Sequence, residues 1–149
     1  MLDFNESQLQ AFAKNLAKNC QGFDQPVVIY LEGDLGAGKT TLARSFIQSF
    51  GFDRVKSPTY AIVESYDNEV AHIHHFDCYR LCDPEELEYI GIREYLKPGH
   101  IQLIEWAAMG QGVLSPADLL IRIGIKDADT RHLVLEANTD IGQQLIDNL

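Results

Sequence analysis

Apolar positions change their spacing several times along the chain, and each change marks an element. Leu9, Phe12, Ala13, Leu16, Ala17 and Cys20 recur at helical intervals, predicting an amphipathic helix over 7–20. Ser7, with Gln10 three residues on, reads as its capping box. After Pro26, Val27-Val28-Ile29-Tyr30-Leu31 is a short continuous apolar run rich in β-branched residues. Such a run is the mark of a strand buried on both faces in a parallel sheet. A second helix is predicted from about Lys39, with Leu42, Ala43, Phe46, Ile47 and Phe50 on one face and Gly51 as its stop.

Residues 60–66 and 70–79 read as two strands of a hairpin around Asp67-Asn68-Glu69. Asp83-Pro84-Glu85-Glu86 combines a capping acid, a proline at the first helical position and acids at the positive end of the dipole. It predicts a helix to about Leu96, with Gly91 its weak point. Ile101 to Trp106 is another mostly apolar strand. Residues 119–125 and 132–137 alternate around the polar turn Asp127-Ala128-Asp129-Thr130, a second hairpin, and 141–149 reads as a short terminal helix. Strand–helix–strand units mixed with hairpins predict an α/β three-layer fold, with a mixed central sheet and helices on both faces.

Composition narrows the class. A length of 149 residues suits one domain spanning 1–149. Apolar residues at 46% and charged residues at 23% fit a globular chain rather than a disordered one. Twelve Lys and Arg against 22 Asp and Glu leave a formal charge of −10, which repels nucleic-acid backbones and anionic membranes. Three cysteines form no dense framework, no apolar run reaches bilayer length, and the first residues are neither basic nor apolar. The expectation is a reducing cytoplasm, with no membrane contact.

The most informative stretch is Gly33-Asp34-Leu35-Gly36-Ala37-Gly38-Lys39-Thr40-Thr41, which satisfies G-x-x-x-x-G-K-[ST]. Four fixed positions in so short a chain match by accident on the order of one time in a hundred, given usual glycine usage. Glycines let the backbone approach phosphates closely. Successive N–H groups form an anion nest backed by a helix dipole. Lys39 supplies a point charge to the outer phosphates, and Thr40 offers a hydroxyl to Mg²⁺. A buried strand before the loop and an amphipathic helix after it complete the P-loop NTPase type of fold. The sequence carries no N-K-x-D base-reading motif, so ATP is favoured over GTP.

Such a site needs an acid at the end of a neighbouring strand, and Glu105 stands at the end of its own. A solvated strand-end acid is the alternative. Ser57-Pro58-Thr59-Tyr60 reads equally as a loop offering the Thr59 hydroxyl to a γ-phosphate or as an ordinary turn. In His74-His75-Phe76-Asp77-Cys78-Tyr79-Arg80, alternation puts His75, Asp77 and Tyr79 on one face. A carboxylate there could orient water or a Mg²⁺ ligand. Arg80 could meet phosphoryl charge or pair with an acid. A transition-metal site from His72, His74, His75, Cys78 and Cys82 is disfavoured, because it lacks paired ligand spacings.

The ordered set G-D-L-G-A-G-K-T-T, S-P-T-Y, H-F-D-x-Y-R-L, D-P-E-E-L-E-x-x-G-I-R-E-Y and L-I-E-W resembles the TsaE (YjeE) family, small ATPases of tRNA threonylcarbamoyladenosine (t6A) biosynthesis. The resemblance spans roughly residues 5–115. It implies that Gly36, Ala37, Gly38, Lys39, Thr40 and Thr41, following Gly33, hold the phosphates of ATP, and that Thr40 and Glu105 hold Mg²⁺. It implies catalytic roles for Lys39, Asp77 and Glu105, a switch-like loop over 57–60 that includes Thr59, and Trp106 near the nucleotide. Glu6 would lie near the adenine. TsaB-like and TsaD-like proteins would be partners, with tRNA reached only through them. ATP binding would support assembly of that complex, and hydrolysis would reset it. The competing readings are a P-loop small-molecule or nucleotide kinase, which would need an arginine-rich lid although only six arginines are scattered along the chain, and a nucleotide-gated module that does not hydrolyse.

Overall fold

A computed structural model describes residues 2–58 and 61–149. The first element, β1 (Leu2–Phe4), has only 3 residues, too few to show a period. It hands the chain to α1 (Glu6–Asn19) in an extended conformation at Asn5, and Asn5 rather than Ser7 is the cap. Its Oδ1 accepts from the Gln8 N–H at 2.8 Å, while the Asn5 N–H donates to the Gln8 side chain at 2.9 Å. Both frames offer a polar residue with Gln three positions on; the strand before the helix decides between them.

The apolar run forms β2 (Val27–Glu32), and the loop after it opens α2 (Lys39–Gln48). The first predicted hairpin is β3 (Val63–Asp67) with β4 (His72–Asp77). The predicted helix from Asp83 to Leu96 does not run through. It is α3 (Glu86–Tyr89) followed by a 3₁₀ turn over Ile92–Tyr95. Gly91 stands between them at φ 73, a left-handed conformation that ends a helix. Then come β5 (His100–Glu105), a 3₁₀ turn over Ala107–Gly110, the second hairpin of β6 (Leu119–Ile125) with β7 (Arg131–Ala137), and α4 (Asp140–Asp147).

The seven strands make one sheet in the order β1-β7-β6-β2-β5-β4-β3. The central four, β6-β2-β5-β4, are parallel, and both flanks are antiparallel. Alternation sorts the core. Val27, Ile29, Leu31, Ile73, Ile101 and Leu103 face the layer containing α1, α2 and α4. Val28, Phe76, Ile104 and Cys78 face the other side, against Leu87 and Ile92. The fold is therefore the expected α/β type with a mixed sheet between two layers. Because β2, β4 and β5 run in parallel, Glu32, Asp77 and Glu105 end at the same edge, where an open α/β sheet places its ligands.

Candidate functional site

Between β2 and α2 the chain passes so close to β6 that a Cβ on Gly33 would lie 2.5 Å from the Ile123 carbonyl oxygen. Gly38 precedes α2 at φ 117, a conformation strained for any L side chain. No side chain caps α2, so its first N–H groups and the positive end of its dipole remain open toward the loop. Lys39 is only 5% exposed. Its Nζ donates to the Gly33 carbonyl at 2.5 Å and lies 3.9 Å from the centre of the Trp106 ring, a cation–π contact. Trp106 holds φ 56, the one non-glycine residue with positive φ among those described. Tyr79 packs against its ring at 4.9 Å.

Glu105 ends β5 in register with Leu31 of β2 on one side and Asp77 of β4 on the other. It is buried, and His75 Nε2 donates to its Oε2 at 2.6 Å. That bond requires a proton on Nε2 and leaves the buried Nδ1 without a partner. Asp77 accepts the Tyr79 N–H at 3.0 Å. Burial pushes its carboxyl above the ordinary range and the Glu105 charge adds to this, while the Tyr79 N–H, His75 and Lys39 act the other way. Two carboxyl groups on neighbouring strands, one of them made reluctant to ionise by its surroundings, form an oxygen set that a hard divalent cation would relieve. The residues therefore fit Mg²⁺: Glu105 and the Thr40 hydroxyl would hold it, with Asp77 adjacent.

Several clefts border the loop, and three of them bear on the site. One of about 400 Å³ is lined by Glu6, Gly36, Gly38, Thr41, Asp129 and Arg131. A second, about 350 Å³, lies on the side of Lys39 and Trp106. The third, about 230 Å³, brings Leu35, Pro58, Tyr79 and Arg80 to Asp77. Gly33, Gly36, Ala37, Gly38, Lys39, Thr40, Thr41, Glu6 and Trp106 thus gather about one loop, with Lys39 and Trp106 on one side of it and Glu6 and Thr41 on the other. Pro58 brings one end of the switch-like segment beside Asp77, whereas Thr59 and Tyr60 lie outside the described residues.

The histidines divide between the two faces. His75 joins Glu105. His74 sits on the opposite face, where Ser65 Oγ and His100 Nδ1 each lie 2.8 Å from its ring nitrogens. Cys78 is fully buried, and burial pushes its thiol up to about 12, so it serves as packing. Among the described residues no group of three or more His, Cys, Asp or Glu is placed to hold a metal.

Two contacts at the site had no motif to announce them. His75 was legible only as a residue on the Asp77 face. Arg131, which reaches the loop from β7, carried no signal at all, since only the sheet brings them together.

The family profile described as "Threonylcarbamoyl adenosine biosynthesis protein TsaE" matches residues 4–133. The chain belongs to the TsaE family. It is 50% identical over 124 residues to the tRNA threonylcarbamoyladenosine biosynthesis protein TsaE of Haemophilus influenzae, covering 83% of this chain and 78% of that protein. It is 38% identical over 126 residues to the TsaE protein of Bacillus subtilis, with 83% and 78% covered. Its fold is similar to the crystal structure of Bacillus subtilis YdiB, with a TM-score of 0.79, 29% identity, and 98% of this chain and 91% of that one covered. The TsaE family is one of t6A biosynthesis in tRNA, and the matched region holds the loop, both carboxylates and Arg131. Among the described residues no helix is long and apolar enough to cross a membrane.

Proposed function

We propose that this chain is an accessory ATPase for threonylcarbamoylation of adenosine 37 in ANN-decoding tRNAs. It binds and slowly hydrolyses MgATP in the cytoplasm, assembling and resetting a complex of TsaB-like and TsaD-like proteins. The observation that carries this reading is one edge of the sheet where the uncapped start of α2, Lys39 and the Asp77–Glu105 pair converge. Open amides and a buried ammonium suit a polyphosphate. Paired carboxylates suit the cation that accompanies it.

Each residue then has a task. The loop N–H groups hold the phosphates, and Lys39 exchanges the Gly33 carbonyl and the Trp106 ring for phosphoryl oxygens. Bound magnesium supplies further positive charge to the phosphates. His75 keeps the Glu105 carboxylate oriented. Asp77, with its raised proton affinity, positions water and is suited to take its proton. Lys39 is the only buried Lys or Arg among the described residues. A cation supplied by a partner is worth about 10³–10⁵ in rate at such sites, so activity is weak alone and rises with the partners. A net charge of −10 leaves tRNA binding to those partners.

The test is a t6A assay reconstituted from TsaB-like and TsaD-like proteins, with and without this chain. Repeated turnover is expected to require the chain and to be lost with Lys39→Ala, whose ATP hydrolysis should fall about a hundredfold or more. Undiminished modification with Lys39→Ala would overturn the proposal.

A further inference from the structure

We infer that Arg131 is a positioning residue that sets the curvature of the phosphate loop from its β7 flank, by holding the Ala37 carbonyl. The inference rests on the reading of the loop as a phosphate cradle. Ala37 is 1% exposed, and a carbonyl at so buried a position needs a partner. Arg131 supplies it: Nε donates to the Ala37 oxygen at 2.9 Å. The same guanidinium is itself immobilised, because Nη1 donates to the carbonyls of Asp127 at 3.0 Å and Thr130 at 3.2 Å. Its backbone is fixed too, since Arg131 is in register with Ile125 of β6 and Phe4 of β1.

The consequence follows from the planarity of the peptide. In a trans unit the C=O and the next N–H point in opposite directions. A guanidinium that draws the Ala37 carbonyl outward therefore turns the Gly38 N–H toward the cradle, just where φ of 117 admits only glycine comfortably. The Ala37 N–H is meanwhile tied to the Asp34 carbonyl at 3.1 Å. Both ends of residue 37 are thus held, one by the loop and one by the sheet. The turn over Asp127–Thr130 borders the same cleft as Glu6 and Thr41, so Arg131 ties the wall of that cleft to the phosphate loop. A lysine could not replace it: one ammonium lacks the planar fork that serves three carbonyls at once.

The test uses the full chain with Arg131→Ala and Arg131→Lys. Binding of ADP and of inorganic tripolyphosphate is measured by calorimetry, and amide exchange is followed over residues 37–39 without nucleotide. Both variants should lose affinity for ADP and tripolyphosphate by a similar factor, about tenfold, or about 1.4 kcal/mol. Exchange at Ala37, whose N–H is tied to the Asp34 carbonyl, should accelerate in the nucleotide-free protein as the loop loosens. The melting temperature should move by no more than about 4 °C, because the three carbonyls Arg131 holds are part-buried or exposed and can turn to water, so a general loss of stability would not imitate the result. Unchanged Ala37 exchange, or unchanged ADP affinity, overturns the inference. So does a loss confined to ADP, which would make Arg131 a contact to the nucleoside. Failure of the wild-type chain to bind either ligand would instead count against the phosphate-binding reading, while the exchange measurement still tests the loop geometry.

Discussion

At the scale of one residue, Asp77 weakens the fold at the position where the proposed function needs a carboxylate. Its proton is held more tightly in the fold than in the unfolded chain, first because it is buried and also because Glu105 stands beside it. Folding is therefore penalised as pH rises through the ordinary carboxylate range and above it. Asn at this position keeps an oxygen for the Tyr79 N–H but carries no charge. Asp77→Asn, melted in the presence of a chelator, is expected to be more stable than wild type by roughly 2 °C, a modest gain because the carboxyl still meets water. ATP hydrolysis by the same variant should be lost. A lower melting temperature would show that the carboxylate is not a burden in the free protein.

At the scale of elements, the start of α1 is a case where local pattern admits two solutions and the neighbouring element chooses. Ser7 with Gln10 and Asn5 with Gln8 both read as capping pairs, yet β1 delivers an extended backbone to Asn5. Asn5→Ala should cost about 1 kcal/mol, a fall of roughly 2–4 °C at this chain length, whereas Ser7→Ala should leave the melting temperature unchanged. The reverse pattern in thermal denaturation would restore Ser7 as the cap. The broken helix after Asp83 follows similar logic. Its starting signals were sound, and α3 begins near them, but Gly91 in the left-handed region diverts the chain so that Leu87 and Ile92 can both reach the core.

For the molecule as a whole, the polar array on the sheet face away from the loop contributes to the response to acid. His74 is pressed down to about 4, first by burial and then by the neighbouring His100, with His72 and Lys97 adding to this and Asp67 opposing it. His100 is lowered as well, again chiefly by burial. The three rings stack, His72 on His100 at 4.6 Å and His74 on His100 at 5.0 Å, with Tyr95 edge-on to His74 at 4.8 Å. A histidine whose proton affinity drops on folding is bound by fewer protons in the native state. Its contribution is complete above pH 6.5 and is lost as pH falls toward about 4. Denaturant midpoints measured across that window should decline for wild type and decline less steeply for His74→Gln. Parallel slopes would remove His74 from the account.

What the sequence determined by itself were features whose causes are local. The glycine-rich loop, the buried strand before it and the amphipathic helices were legible because periodicity and turn chemistry act over a few residues. Glu105 was legible as a strand-end acid by position, and Asp77 by alternation as a carboxylate on one face of its strand. Tertiary structure alone decided that His75 holds Glu105, that Trp106 lies against Lys39 and that Arg131 grips Ala37. Residues 37 and 131 are 94 apart in the chain, and their meeting depends on strand order and register, which no local pattern encodes. β1 escaped notice for the same reason: 3 residues become a strand only because β7 leaves an edge for them to pair with.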